Sequence, residues 1–198
     1  MTALRPLALC AFGLALLSAS ASAADCSGAL QISATPEGNL DVTVSLPCAP
    51  YTPITLLYGP VKIPEETAAD GSLNLTVPRL KGVSDIAVLA PVAGLSAPVP
   101  SASLSEDQAR FILVLPDDDG AVPGLLPPLG FDMGTGIAPP EFLALGPTQA
   151  AELVIPVSPG RCGQPFRLRL LTESTAKPQR ITITMPDCPA DGFVLLPL

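Results

Sequence analysis

Between Cys26 and Cys48 the residues alternate apolar with polar, and this alternation narrows what the chain can fold into. Folded back as an antiparallel pair with Cys26 opposite Cys48, the segment sets Leu30 against Val44, Ile32 against Val42 and Ala34 against Leu40. The tip then falls on Pro36-Glu37-Gly38. Successive side chains of a strand point to opposite faces, so a correct register sorts polar from apolar. Here Leu30, Ile32, Ala34, Leu40, Val42, Val44 and Leu46 share one face, while Gln31, Ser33, Thr35, Asn39, Asp41, Thr43 and Ser45 share the other. Both cysteines fall on the apolar face, where facing Cα atoms are close enough for a disulfide. On the chain-entropy account, closing such a loop stabilises the fold by about 3 kcal/mol.

The N-terminus reads as a Sec-type leader. Arg5 supplies the charge, residues 7–17 are uncharged and apolar, and Ser18-Ala19-Ser20-Ala21-Ser22-Ala23 ends in the small-x-small pattern of a cleavage site. Eleven residues of helix reach only about 16 Å, short of a bilayer core. Cleavage near Ala23 is expected to release a periplasmic or secreted protein with no transmembrane segment, since prolines and charges interrupt every later apolar run. The expected layout is a signal peptide over 1–23, an N-terminal β-sandwich-like domain over 24–100, a partly ordered Pro/Gly/Asp-rich segment over 101–150, and a C-terminal cystine hairpin unit over 151–198.

Four cysteines follow the leader: Cys26, Cys48, Cys162 and Cys188. An even set in an exported chain reads as two disulfides, and the count alone leaves three pairings open. A zinc site would need short paired spacings, which are missing, and the chain contains no His. Without Arg5 the chain carries nine basic against eighteen acidic residues, which argues against nucleic acid or an anionic membrane as partner. The charge is uneven. From Glu106 to Glu152 the acids are relieved by one base, Arg110; from Arg161 to Arg180 the bases are relieved by one acid, Glu173. Contact between these segments and two separately solvated faces are both compatible with that pattern.

Twenty-five prolines exclude a helical bundle and favour short strands with many turns. Ile54-Thr55-Leu56-Leu57-Tyr58 reads as a strand of a second sheet, and Val61-Lys62-Ile63 continues it. Asp70-Gly71 signals a hairpin leading into Leu73, Leu75 and Val77, and residues 85–89 form a further strand. Between Pro91 and Pro147 ten prolines, several glycines and Asp117-Asp118-Asp119 break any long element. Ser105-Glu106-Asp107-Gln108 reads as one capped helical turn. Phe111-Ile112-Leu113-Val114-Leu115 reads either as a strand buried on both faces or as a linker strand lying on the core.

The C-terminal piece repeats the opening arrangement. Its apolar faces match with Phe166 opposite Met185, Leu168 opposite Ile183 and Leu170 opposite Ile181. Cys162 and Cys188 are then one residue out of step, which a bulge at Pro186-Asp187 would absorb. A strand at Val194-Leu195-Leu196 ends the chain. The expected class is mainly β: an antiparallel β-sandwich with two disulfide-stapled hairpins, Cys26–Cys48 and Cys162–Cys188, and a Pro-rich irregular middle.

Two resemblances attach to these residues. The stretch from Glu66 to Leu75, with its Asp70-Gly71 turn, resembles the hairpin of transthyretin-like and carboxypeptidase-regulatory-like sandwiches. Cys162-Gly163, the run Ile181-Thr182-Ile183-Thr184-Met185-Pro186-Asp187-Cys188 and Gly192-Phe193-Val194-Leu195 resemble the C-terminus of exported alphaproteobacterial proteins labelled "translocase". Cys26, Pro47-Cys48 and Asp70-Gly71 sit where that family has similar features, whereas its histidines and tryptophans are missing here. The resemblance implies an export or assembly role and assigns no site residue.

With no His, no Trp and three lysines, the chain offers little for nucleophilic or acid–base catalysis. Asp117, Asp118 and Asp119, with Glu106 and Asp107, are the candidates for a calcium ion. Consecutive aspartates lack the alternating spacing of a calcium loop, so a solvated turn is favoured. No catalytic residue and no cofactor are assigned. The expectation is an exported, non-enzymatic binding or structural protein whose partner is a protein or an envelope component. The alternatives are a carboxylate- or calcium-dependent hydrolase with its acids in the 106–119 loop, or an export or assembly factor as the resemblance implies.

Overall fold

The computed structural model describes residues 26–91, 93–101, 110–117, 123–134, 136–146, 148–188 and 192–198. The leader over 1–23, the turn at 105–108, and Asp118 and Asp119 lie outside them. The described residues are all sheet, with thirteen antiparallel strands in four sheets. The first seven are β1 (Ala29–Ala34), β2 (Leu40–Ser45), β3 (Pro53–Tyr58), β4 (Val61–Glu66), β5 (Ser72–Val77), β6 (Asp85–Leu89) and β7 (Gly94–Pro98). They build a three-stranded sheet, β1-β2-β5, and a four-stranded one, β4-β3-β6-β7. The other six are β8 (Arg110–Leu115), β9 (Glu141–Leu145), β10 (Glu152–Val157), β11 (Pro165–Thr172), β12 (Gln179–Thr184) and β13 (Gly192–Pro197). These build the sheets β12-β11-β8-β9 and β10-β13.

Alternation places the cores. On β2, Leu40, Val42 and Val44 are buried and Asp41, Thr43 and Ser45 are exposed. They pack with Ile54, Leu56 and Tyr58 of β3, Val61 and Ile63 of β4, and Ile86 and Val88 of β6, closing the first sandwich. The second sandwich packs Leu168 and Leu170 of β11 with Leu153 and Ile155 of β10. β8 serves both. Phe111, Leu113 and Leu115 belong to the first core and Ile112 and Val114 to the second, all five at most 2 % exposed. The continuous apolar run is therefore a strand buried on both faces. The Pro-rich middle supplies β8 and β9 to the third sheet.

The first hairpin has the expected register: Leu30 faces Val44, Ile32 faces Val42 and Ala34 faces Leu40. Both expected disulfides are formed, with Cα–Cα distances of 5.3 Å for Cys26–Cys48 and 5.4 Å for Cys162–Cys188. The first bridge does not lie on the apolar face, however, because the β1–β2 ladder stops at Ala29 and Ser45. Leu46 then donates its N–H to Gly71 O, and Ala49 N bonds Leu46 O in a tight turn. That turn carries Cys48 outward, and both Cys26 and Cys48 are exposed.

Three other expectations are corrected. In the second hairpin Phe166 faces Ile183 and Leu168 faces Ile181, two residues from the expected register. A slip of two keeps every side chain on its own face, so alternation cannot distinguish the two registers, and the turn decides. Thr175 N bonds Thr172 O, and Thr172 N bonds the Thr175 hydroxyl, which closes the connection early. The odd residue between the cysteines is not taken up by a bulge at Pro186-Asp187. Pairing continues past β12 through Met185 N to Gln164 O and Gly163 N to Pro186 O. It ends at Gly163, whose φ of 67° turns the chain, while Cys162 N bonds Ser158 O. Finally, the Asp70-Gly71 turn is tight, with Gly71 at φ 76° and Ser72 N bonded to Asp70 Oδ1. It is not a hairpin: β4 pairs with β3 and β5 pairs with β2, so the turn passes the chain from one sheet to the other.

Candidate functional site

An open groove of about 690 Å³ lies where that crossing turn meets the Pro-rich segment. One wall is the start of β5, with Leu73 and Asn74; the other is Phe131, Asp132 and Met133. Tyr51 and Glu66 also line it. Tyr51 and Phe131 are both 65 % exposed, which is unusual for side chains that normally contribute a large apolar surface to a core.

Local chemistry fixes each part. Thr67 is buried, and its hydroxyl donates to Ala49 O at 2.5 Å and accepts from Thr52 N at 2.9 Å. This ties the 49–52 turn to the end of β4. Tyr51 sits at φ 48°, a left-handed conformation that costs a side-chain-bearing residue about 1 kcal/mol, and its ring is thereby aimed away from the core. The opposite wall hangs on Phe131 N, which bonds Pro64 O at 3.0 Å. Gly130 precedes it at φ 100°; a Cβ there would meet Pro64 O at 2.6 Å, so only glycine lets the loop lie this close to β4.

The other end of this loop is held by Glu141 of β9. Its buried carboxylate accepts N–H bonds from Gly124, Leu125 and Leu126, the last two at 2.8 and 2.9 Å. Leu129 N to Pro140 O and Phe142 N to Pro127 O stitch the same segment to the start of β9. Residues 123–131 thus form a strap from the third sheet to β4. Arg161 donates to Pro123 O at 2.6 Å.

Beneath the strap lies Glu65, 2 % exposed, with its Oε1 beside Gly130. Burial pushes its carboxyl up to about 7. The sequence carried a signal for this residue: Glu65 is in phase with Val61 and Ile63, which puts it on the core face of β4. The groove was not legible, because nothing in the spacing brings Tyr51 and Phe131 together.

The acidic and basic segments do touch, through their exceptions. Arg110 Nε pairs with Glu173 Oε1 at 3.2 Å, and Glu173 Oε2 also accepts Phe111 N. Two bases of the second segment meet carbonyls instead: Arg161 bonds Pro123 O and Arg169 bonds Pro116 O at 3.1 Å. Of the expected calcium candidates, Asp117 lies with Lys62 and Arg169 in a second hollow of about 350 Å³. Asp118 and Asp119 are outside the described residues, as are Glu106 and Asp107. Among the described residues no three His, Cys, Asp or Glu side chains are grouped to hold a metal ion. Among them also, no helix is long and apolar enough to cross a membrane. Comparison with family models, with curated proteins and with solved structures found no match.

Proposed function

We propose that the protein is an exported, non-enzymatic binding protein of the periplasm or cell envelope, and that it works by holding another protein or an envelope component. The observation that carries this reading is the groove, where Tyr51 and Phe131 stand exposed on backbone that is tightly pinned by Thr67, Gly130 and Glu141. Rigidly held aromatic side chains are favoured contact residues because they offer much area for little lost entropy. Two disulfides support an oxidising compartment. The leader-like residues 1–23 support export, and a chain without His and with three lysines has little catalytic equipment. An export or assembly role, which the resemblance to "translocase"-labelled proteins implies, is the alternative, and it would require a stable complex with an envelope machine.

The test places a photo-crosslinking side chain at position 131 and, in a second strain, at Leu89, which is 53 % exposed on β6. The expected outcome is a discrete envelope-protein adduct from position 131 and none from position 89. Identical labelling from both positions, or recovery of the protein in the cytoplasm, would remove the reading.

A further inference from the structure

From the unpaired edge of β5 beside this groove, we infer that the ligand is an extended, basic peptide segment that adds to the β1-β2-β5 sheet as a fourth strand. The inference rests on the binding reading above and names the partner's class.

The ladder shows which backbone groups are on offer. Leu46 N bonds Gly71 O, and hydrogen-bonded pairs recur every second residue in an antiparallel ladder. Leu73, Leu75 and Val77 therefore turn their backbone groups toward Val44, Val42 and Leu40 of β2. Ser72, Asn74 and Thr76 turn theirs outward, and Ser72 O is taken by Ala68 N. Asn74 and Thr76 thus face an edge along which no strand pairs among the described residues. Leu73 and Leu75, whose side chains point to the first core, are only half-buried, while Val42 and Val44 beside them are fully buried. An added strand would cover them.

The edge lacks the protection found on the others. Free edges are commonly blunted by a charge or a proline. β4 carries Lys62 and Pro64, β7 Pro98, β9 Glu141, β10 Glu152 and Pro156, β12 Arg180, and β13 Pro197. β1 has neither, but it runs beside β7. β5, Ser-Leu-Asn-Leu-Thr-Val, has neither, and among the described residues no strand pairs with this edge. Such an edge accepts an extended peptide by main-chain bonding, with side-chain pockets giving selectivity.

Charge selects the occupant. Asp70 stands at one end of β5, Asp41 bonds Thr76 at the other, and Glu66 and Asp132 line the groove. A second copy pairing edge to edge would bring these carboxylates together, whereas lysines or arginines on the added strand would meet them with opposite charge. The aromatic walls at Tyr51 and Phe131 suit the stems and heads of the same cations.

The test titrates the oxidised, leader-free chain with a short synthetic peptide of alternating lysine and valine, and with its glutamate–valine counterpart. The lysine peptide is expected to bind, to slow amide exchange at Asn74 and Thr76, and to bind less tightly as salt rises. Asn74→Pro removes an outward N–H and keeps the β2–β5 backbone bonds, giving up only the exposed Thr43 hydroxyl bond to Asn74 Oδ1; it should weaken binding about tenfold or more. Should that variant fold poorly, the double charge reversal Glu66→Lys with Asp132→Lys should produce the same loss. Equal binding of both peptides, protection elsewhere than β5, or concentration-dependent dimerisation through this edge would overturn the inference. A discrete adduct at position 131 with no peptide binding would remove the edge and leave the binding reading standing; loss of both would remove both.

Discussion

The two sandwiches use the same staple on different supports. In the first, the outer face of β2 and β5 is polar, with Thr43 bonded to Asn74 and Asp41 to Thr76, and the inner face is closed by two sheets of three and four strands. In the second, the outer layer is the two-stranded β10-β13 sheet, and beyond Glu152 even its outward side is apolar: Val154 pairs with Leu195, and Pro156 with Phe193. Val154, Leu195 and Phe193 are 45 %, 56 % and 69 % exposed. A two-stranded ribbon is marginal by itself and persists by packing on something larger, here the face of β8 and β11. The first half supports itself mostly from within; the second leans on the strand they share.

That contrast can be broken at β8, where neighbouring residues address different interiors. Phe111→Ala should cost about 3–5 kcal/mol through the first core, and Ile112→Ala about 2–5 kcal/mol through the second, read from denaturant midpoints. Because the strand is common to both, each variant should still melt in one transition. Two separate transitions would mean that the halves fold independently.

Removing one bridge at a time sharpens the same point. The loops closed are nearly equal, with separations of 22 and 26 residues, so chain entropy predicts about 3 kcal/mol for each. Replacing both cysteines by serine should hurt the second half more than the first. Cys162 is buried, so its replacement leaves a hydroxyl shielded from water, while Cys26, Cys48 and Cys188 are exposed. Equal losses in thermal melts would deny the second half its greater dependence.

Glu65 tests the first sandwich by pH. Its carboxyl is raised from 4.5 to about 7, so between those values the native state keeps a proton that the unfolded chain has released. Stability should therefore fall as pH rises from 4.5 toward 7 and stay low above it, by about 3 kcal/mol in all. Glu65→Gln should flatten that slope and leave the protein more stable than the wild type at pH 8. A slope that survives the substitution would place the titrating group elsewhere.

The smallest effect belongs to the contact between the oppositely charged segments. Arg110 and Glu173 are partly exposed, so Arg110→Ala should cost no more than about 1 kcal/mol and less at high salt. A double-mutant cycle with Glu173→Gln would check this, because Glu173 also holds Phe111 N.

Alternation made part of this fold legible. Polar and apolar positions from Leu30 to Leu46 fixed the first register, and the uninterrupted run at residues 111–115 marked a strand, leaving two-sided burial or a linker on the core for the structure to decide. The same rule failed at the second hairpin, since a two-residue slip leaves the pattern intact and the Thr172–Thr175 bonds decide it. At Asp70-Gly71 the turn chemistry was readable, but which strands it joins depends on long-range pairing that no local signal encodes. The groove was hidden for the same reason: Tyr51 and Phe131 are brought together by the Thr67 hydroxyl, the Glu141 carboxylate and the bare Gly130, whose partners are backbone atoms that look alike in every sequence.

β8 acts as a party wall between two rooms. A bulkier side chain at Leu113 pushes the backbone toward Val114, and the cramped space appears on the side that was not altered. Tolerance to enlargement at either position is therefore set by both neighbours at once. Substitutions that rescue a crowded variant in one interior should be found by selection in the other, at residues such as Leu168 or Ile155 that never touch the original change.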